Sequence, residues 1–126
     1  MLTGSQPSSL SLRFPRICRI KQGRDFARLK AQGRRLVNGC LILNCLPAGE
    51  NTLGRLGVVT SRKVGGSVVR SRARRLMREV WRRNQHAFTQ PLELVLVARA
   101  SIVGKPLASV ERDFLGALRR AGFLKS

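Results

Sequence analysis

Acidic side chains are scarce: 126 residues carry six of them against 25 lysines and arginines, a formal net charge of +19. So unbalanced a chain repels itself and attracts polyanions. Nucleic acid or an anionic membrane is therefore the natural partner. The six acids, Asp25, Glu50, Glu79, Glu93, Glu111 and Asp113, are scattered along the chain, whereas a two-metal nuclease needs convergent carboxylates. Glu111 and Asp113 would diverge by about 200° around a helix. The single histidine, His86, has no acid or cysteine close in sequence to form a triad or a metal set, and is read as incidental or phosphate-proximal. P-loop, GxGxxG and zinc-ligand spacings are all missing. On its residues alone the chain reads as a binding protein and not as an autonomous enzyme.

Long apolar runs are also missing. The longest, "CLIL" and "LVLVA", have strand length, and a membrane span needs about 20 apolar residues. Nor does an amphipathic helix with bulky apolar anchors stand out, so no membrane role is expected. Cysteine is limited to Cys18, Cys40 and Cys45, without a CxxC pair and with an odd thiol under any pairing. A reducing, cytoplasmic setting fits. Cys40 and Cys45 are five apart and would face opposite sides of one strand; both are read as small buried hydrophobes.

At 43% hydrophobic, the chain is long enough for one compact core. Residues 1–16 are expected to be a disordered tail and 17–123 a single α/β domain. The Ser- and Arg-containing start is also weakly similar to an organelle transit peptide, the lesser of the two readings.

Residues 24–32, "RDFARLKAQ", read as a short helix closed by Gly33, with Phe26 and Leu29 on one face. "LVNGCLILNCL" is expected to be one strand, "PAGEN" a turn and "LGRLGVVTS" the returning strand of an antiparallel hairpin. Gly65 and Gly66 break the chain, either simply to turn it or to let backbone N–H groups approach a phosphate, and Ser67 is placed as the N-cap of a helix from Val68 to about Gln85. "PLELVLVAR" reads as a central strand covered on both faces. A last helix starts near Pro106 and ends at Gly122.

What the chain does have is "SRKVGGSVVRSRARRLMREVWRRN", Ser61–Asn84, where nine Arg and Lys residues face one acid, Glu79. At 100° per residue from Arg70, residues Val69, Ala73, Leu76, Met77 and Val80 fall on one arc, between about 240° and 340°. Arg70, Arg74, Arg78, Arg82 and Arg75 fill roughly 0° to 140°, with Arg72 and Arg83 on the other border of the apolar stripe. Like charges at i and i+4 repel by a few tenths of a kcal/mol per pair. A phosphate backbone reverses that sign, because each guanidinium can grip phosphate oxygens and release counterions.

Within this segment, "TSRKVGGSVVRSRARRLMRE" resembles the signature of the protein subunit of bacterial ribonuclease P. The shared positions are Ser61, Arg62, Lys63, Gly65, Val68, Arg70, Arg72, Arg74, Arg75, Arg78 and Glu79. The resemblance implies an α+β fold: a small α/β sandwich like the second domain of a ribosomal small-subunit protein, ordered α-β-β-(β)-α-β-α. It further implies an antiparallel hairpin plus a left-handed βαβ crossover. It implies a subunit that joins a catalytic RNA and promotes removal of the 5′ leader of precursor tRNA, with the active site and the required Mg²⁺ on the RNA. No dedicated metal site on the protein and no obligatory protein partner are implied.

By the same resemblance, Arg62, Lys63, Arg70, Arg72, Arg74, Arg75 and Arg78 contact the catalytic RNA; Ser71 and Arg82, within the basic arc, are counted with them. A cleft between the first helix and the sheet takes the single-stranded leader, with Phe26 as its aromatic. Two departures stand out. Ser71 replaces the usual Asn, shortening the reach of that side chain. Lys30 and Asn44 occupy cleft positions often aromatic in relatives, in a chain without tyrosine, so leader binding is expected to rest more on charge than on stacking. Two further readings use the same charge: a structural ribosomal-type RNA binder, and a DNA binder that sets the arginine helix in a groove.

Overall fold

A computed structural model describes residues 28–29, 31–48 and 54–125. Phe26, Lys30, Cys18 and most of the "PAGEN" turn lie outside the described residues. Four strands, β1 (Arg34–Asn38), β2 (Leu41–Pro47), β3 (Arg55–Val59) and β4 (Leu92–Ala98), form one sheet in the order β1-β2-β4-β3. Two helices, α1 (Ser67–Asn84) and α2 (Leu107–Ala121), pack on it. Residues 28–29 and 31–32 are also helical, and the Gly33 N–H closes on the Leu29 carbonyl at 2.9 Å. The mixed α+β architecture matches the expectation.

An antiparallel hairpin and a βαβ crossover are present, as the resemblance implies, but the hairpin is not the one expected across "PAGEN". The apolar run that reads as one strand is two, β1 and β2, which pair with each other antiparallel from Arg34 opposite Cys45 to Asn38 opposite Leu41. The turn between them contains Gly39 at φ 58, left-handed backbone that glycine reaches without steric cost, and Asn-Gly is the strongest short hairpin signal. The strand after "PAGEN" does not return along β2. It runs parallel to β4, with Arg55 opposite Glu93 and Val59 opposite Val97, while β4 pairs antiparallel with β2. A β3–α1–β4 crossover is the reason: parallel neighbours need a long connection, and α1 supplies it.

Strand alternation sorts the sheet into two faces. Leu41, Leu43, Cys45, Leu56, Leu92, Leu94 and Leu96 point to the helices and meet Ala73, Met77, Val80, Val110, Phe114, Ala117 and Leu118 in the main core. Each fully buried Leu or Phe in such a layer contributes about 1.5–3 kcal/mol relative to exposure. On the other face Leu29, fully buried, packs with Val95 amid Leu46, Val59 and Val97. As expected, β4 is central and covered on both sides. Cys40 and Cys45 are both buried as expected, but in the same core, because Cys40 sits in the turn before β2 instead of within the strand. Burial pushes both thiols up to about 11.

The N-cap of α1 is Gly66 and not Ser67, which is the first helical residue; no side chain caps this end. Gly65, at φ 151, makes the turn, and a Cβ there would meet the Val69 side chain at 3.0 Å. At the far end, α2 closes on Gly122 at φ 82, whose N–H returns to the Arg119 and Leu118 carbonyls.

Candidate nucleic-acid interface

Helix α1 lies over β3 and β4 and against α2, turning Ala73, Met77 and Val80 inward as its spacing dictates. Trp81 is buried as well, although at about 20° it belongs to the basic arc. Its burial comes from the segment after the helix, which folds back so that Gln85, His86, Phe88, Gln90, Pro91 and Leu92 line a cavity of about 400 Å³ with Trp81. Phe88 in turn stacks obliquely on Phe114, ring centres 6.1 Å apart. His86 is exposed at the rim of that cavity, and among the described residues no group of three His, Cys, Asp or Glu side chains could hold a metal ion.

The predicted RNA-contacting residues come together on and beside α1. Arg62 and Lys63 are exposed in the turn leading into the helix, whose shape is set by Val64 N–H to Ser61 O at 3.1 Å and Gly65 N–H to Arg62 O at 3.2 Å. Buried Val64 anchors this turn to the core, so both cations are held outward. Arg70, Arg74, Arg78 and Arg82 are half-buried along one flank, and Ser71 and Arg75 are exposed beside them. Arg74 donates to Thr60 Oγ1 at 2.8 Å, and its other terminal nitrogen to Ser71 Oγ at 3.2 Å. The flank is thereby fixed to the end of β3. Arg72, exposed on the opposite flank, donates to the Lys105 carbonyl at 2.9 Å. Arg70 Nε is buried without a hydrogen-bond partner among the described residues. Val68 stands 80% exposed within this basic surface.

Carboxylates decide how much of that charge is available. The four described acids each lie against an arginine: Glu79 on Arg82 at 2.6 Å, Glu93 on Arg28 and, at 2.6 Å, on Arg55, Glu111 on Arg83 at 3.6 Å, and Asp113 on Arg112 at 3.7 Å. All these arginines lie outside Ser61–Arg75. Of the predicted set, Arg82 is thus engaged by a carboxylate, and the hydrogen bond it donates holds Glu79 below the usual carboxylate range. Angular position alone put Arg82 with the contact residues; the Glu79–Arg82 spacing of three was the signal of a local pair.

Asn44 is on the sheet face away from the helices, opposite Arg35 on β1 and Val95 on β4. Its Oδ1 is buried without a hydrogen-bond partner among the described residues. Phe26 and Lys30, the other predicted cleft residues, lie outside the described residues, although Leu29 between them packs on this same face.

A hairpin, a parallel crossover carrying an arginine-rich helix, and a second sheet face with a short helix on it define a frame that can be compared with known proteins. The Ribonuclease P family profile matches residues 14–122. The chain belongs to that family. It is 32% identical over 110 residues to the ribonuclease P protein component of Alkaliphilus oremlandii, covering 87% of this chain and 96% of the relative. To that of Chloroflexus aurantiacus it is 36% identical, covering 86% and 81%. The RNase P protein from Thermotoga maritima superposes with a TM-score of 0.71 at 26% identity, over 81% of this chain and 96% of that one. The RNase P protein of Staphylococcus aureus, at 22% identity and a TM-score of 0.76, shares the fold. The chain is therefore a subunit of ribonuclease P, the endoribonuclease that matures tRNA 5′ ends, and works with the RNA of that particle. Among the described residues no helix is long and apolar enough to cross a membrane.

Proposed function

We propose that α1 and the Ser61–Lys63 turn dock on the catalytic RNA, and that the opposite sheet face takes the 5′ leader of precursor tRNA. The observation that carries the first half is the distribution of carboxylates: the described acids pair with arginines outside Ser61–Arg75, leaving that stretch strongly cationic. Docking on phosphates then relieves the repulsion among Arg70, Arg74 and Arg78, spaced four apart. Arg62, Lys63 and Arg75, exposed, supply contacts at the helix start and crest, and Ser71 offers a short hydroxyl where a longer amide would reach further.

The second half rests on Asn44 and on Leu29, which places the short helix over the sheet. Two surfaces on opposite sides of one thin sheet let a single small domain hold the catalytic RNA and its substrate together. Hydrolysis belongs to the RNA in this reading, with Mg²⁺ bound there, and the protein works in the bacterial cytoplasm. By fixing the leader, the chain lowers the amount of Mg²⁺ needed for productive substrate binding.

Reconstitution with a bacterial ribonuclease P RNA at low Mg²⁺ tests this. Faster leader release than with RNA alone is expected, together with tighter binding of precursor than of mature tRNA. Equal affinities for the two tRNAs would favour a structural RNA binder without a leader site.

A further inference from the structure

Glu93 is an acid buried in a chain of +19, 9% exposed, on the sheet face assigned to the leader. Each of its carboxylate oxygens is held by a different guanidinium. Arg55, from β3, donates to Oε2 through Nη2 at 2.6 Å and Nε at 3.0 Å. Arg28, beside Leu29 in the short N-terminal helical stretch, donates to Oε1. Leu29 is fully buried against Val95, two residues along β4 from Glu93.

The described part of that stretch is thus fastened to the sheet at two neighbouring points, one apolar and one ionic. Burying a carboxylate is costly unless its oxygens are satisfied, and removing one member of such a set leaves the others uncompensated. An acid on a face meant for a polyanion also repels it. Stability alone would be served as well by an apolar residue, as at Val95 and Val97 on the same face.

We propose that Glu93 is a positioning residue for substrate: by clamping Arg28 to Arg55 it fixes the short helix over the sheet at the separation a single-stranded leader requires. It touches no reacting atom. The inference rests on the leader reading above and adds the residue that sets the cleft.

The test is Glu93→Gln in the reconstituted holoenzyme, with precursor tRNAs carrying a leader of one nucleotide or of about eight, enough to span a single-strand site. Coulomb's law alone makes the sign opposite to the proposal, since removing a negative charge should tighten binding of the long leader. The proposal predicts weakening of about fivefold or more for the long leader, the scale of one lost base contact, with the one-nucleotide leader and the affinity for the RNA subunit unchanged. Arg28→Gln, which leaves Glu93 paired with Arg55, should reproduce that pattern in a protein with wild-type circular dichroism. Tighter binding of the long leader, or equal losses for both leaders and for the RNA subunit, would overturn the inference. A wild-type protein that does not distinguish the two leaders would overturn the leader reading itself.

Discussion

Asp113 accepts the Cys40 N–H through Oδ2 at 3.0 Å, so a carboxylate on α2 closes the turn of the β1–β2 hairpin. Asn38 completes the link by donating to the Asp113 carbonyl at 2.8 Å. A Cβ on Gly39 would sit 2.2 Å from Asp113 Oδ2, and the residue is at φ 58. Gly39→Ala is therefore expected to destabilise the domain by more than the about 1–2 kcal/mol of left-handed backbone strain alone. Urea denaturation at constant salt measures it; a loss below that range would mean that Asp113 does not hold the turn.

Glu93 gives the fold a pH dependence of definite sign. Burial raises its pKa, but the hydrogen bonds and charges of Arg28 and Arg55 outweigh that and hold the carboxyl below its usual range. A depressed folded-state pKa contributes stability that is present above the unfolded value of about 4.3 and lost as pH falls through the folded one. Stability at fixed ionic strength should accordingly hold from neutral pH to about pH 5 and then decline. In Glu93→Gln the acid decline should be shallower. An unchanged acid limb in that variant would show that the ion pairs with Glu93 contribute nothing to stability.

Arg82 and Arg75 should separate in their effects. Arg82 is tied to Glu79 by two bonds of 2.6 and 3.0 Å, and must give up that pair to reach a phosphate. Arg82→Ala is expected to cost at most about 1 kcal/mol of stability, as for exposed ion pairs. Its change in the salt dependence of RNA binding should be less than half that of Arg75→Ala. Equal changes would place Arg82 fully among the phosphate contacts.

Ser71 offers a gain-of-function test. Its hydroxyl is exposed and already accepts a bond from Arg74. Ser71→Asn adds reach and a second donor, and one extra hydrogen bond of about 0.5–1.5 kcal/mol corresponds to roughly two- to tenfold tighter RNA binding. Filter binding or fluorescence titration at one salt concentration would read it; weaker binding would show that this position does not face the RNA.

Helices were the legible part of this sequence, because α1 and α2 obey a 3.6-residue period and end at glycines or polar turns. The sheet order was not. Four apolar residues after Asn38-Gly39 make β1 and β2 look continuous, and the Asn-Gly pair is the local sign that they are not. That β3 joins β4 is a non-local fact, fixed by where α1 can pack, and no local pattern carries it. Trp81 shows the same limit within a helix: its angle assigns it to the basic surface, and the returning segment through Phe88 and Leu92 buries it. For the site, the arginine flank could be drawn from angles alone. The carboxylate pairings elsewhere could not, since Glu93 reaches Arg28 across 65 residues and Glu111 reaches Arg83 from the other helix.

The most direct test of the docking surface is the salt dependence of affinity for the RNA subunit, measured for wild type and for Arg70→Ala, Arg74→Ala and Arg75→Ala. Each substitution should weaken binding and flatten the slope of log affinity against log salt by about one unit, one phosphate contact apiece. Slopes equal to wild type in all three variants would contradict the claim that this flank of α1 lies against the RNA backbone.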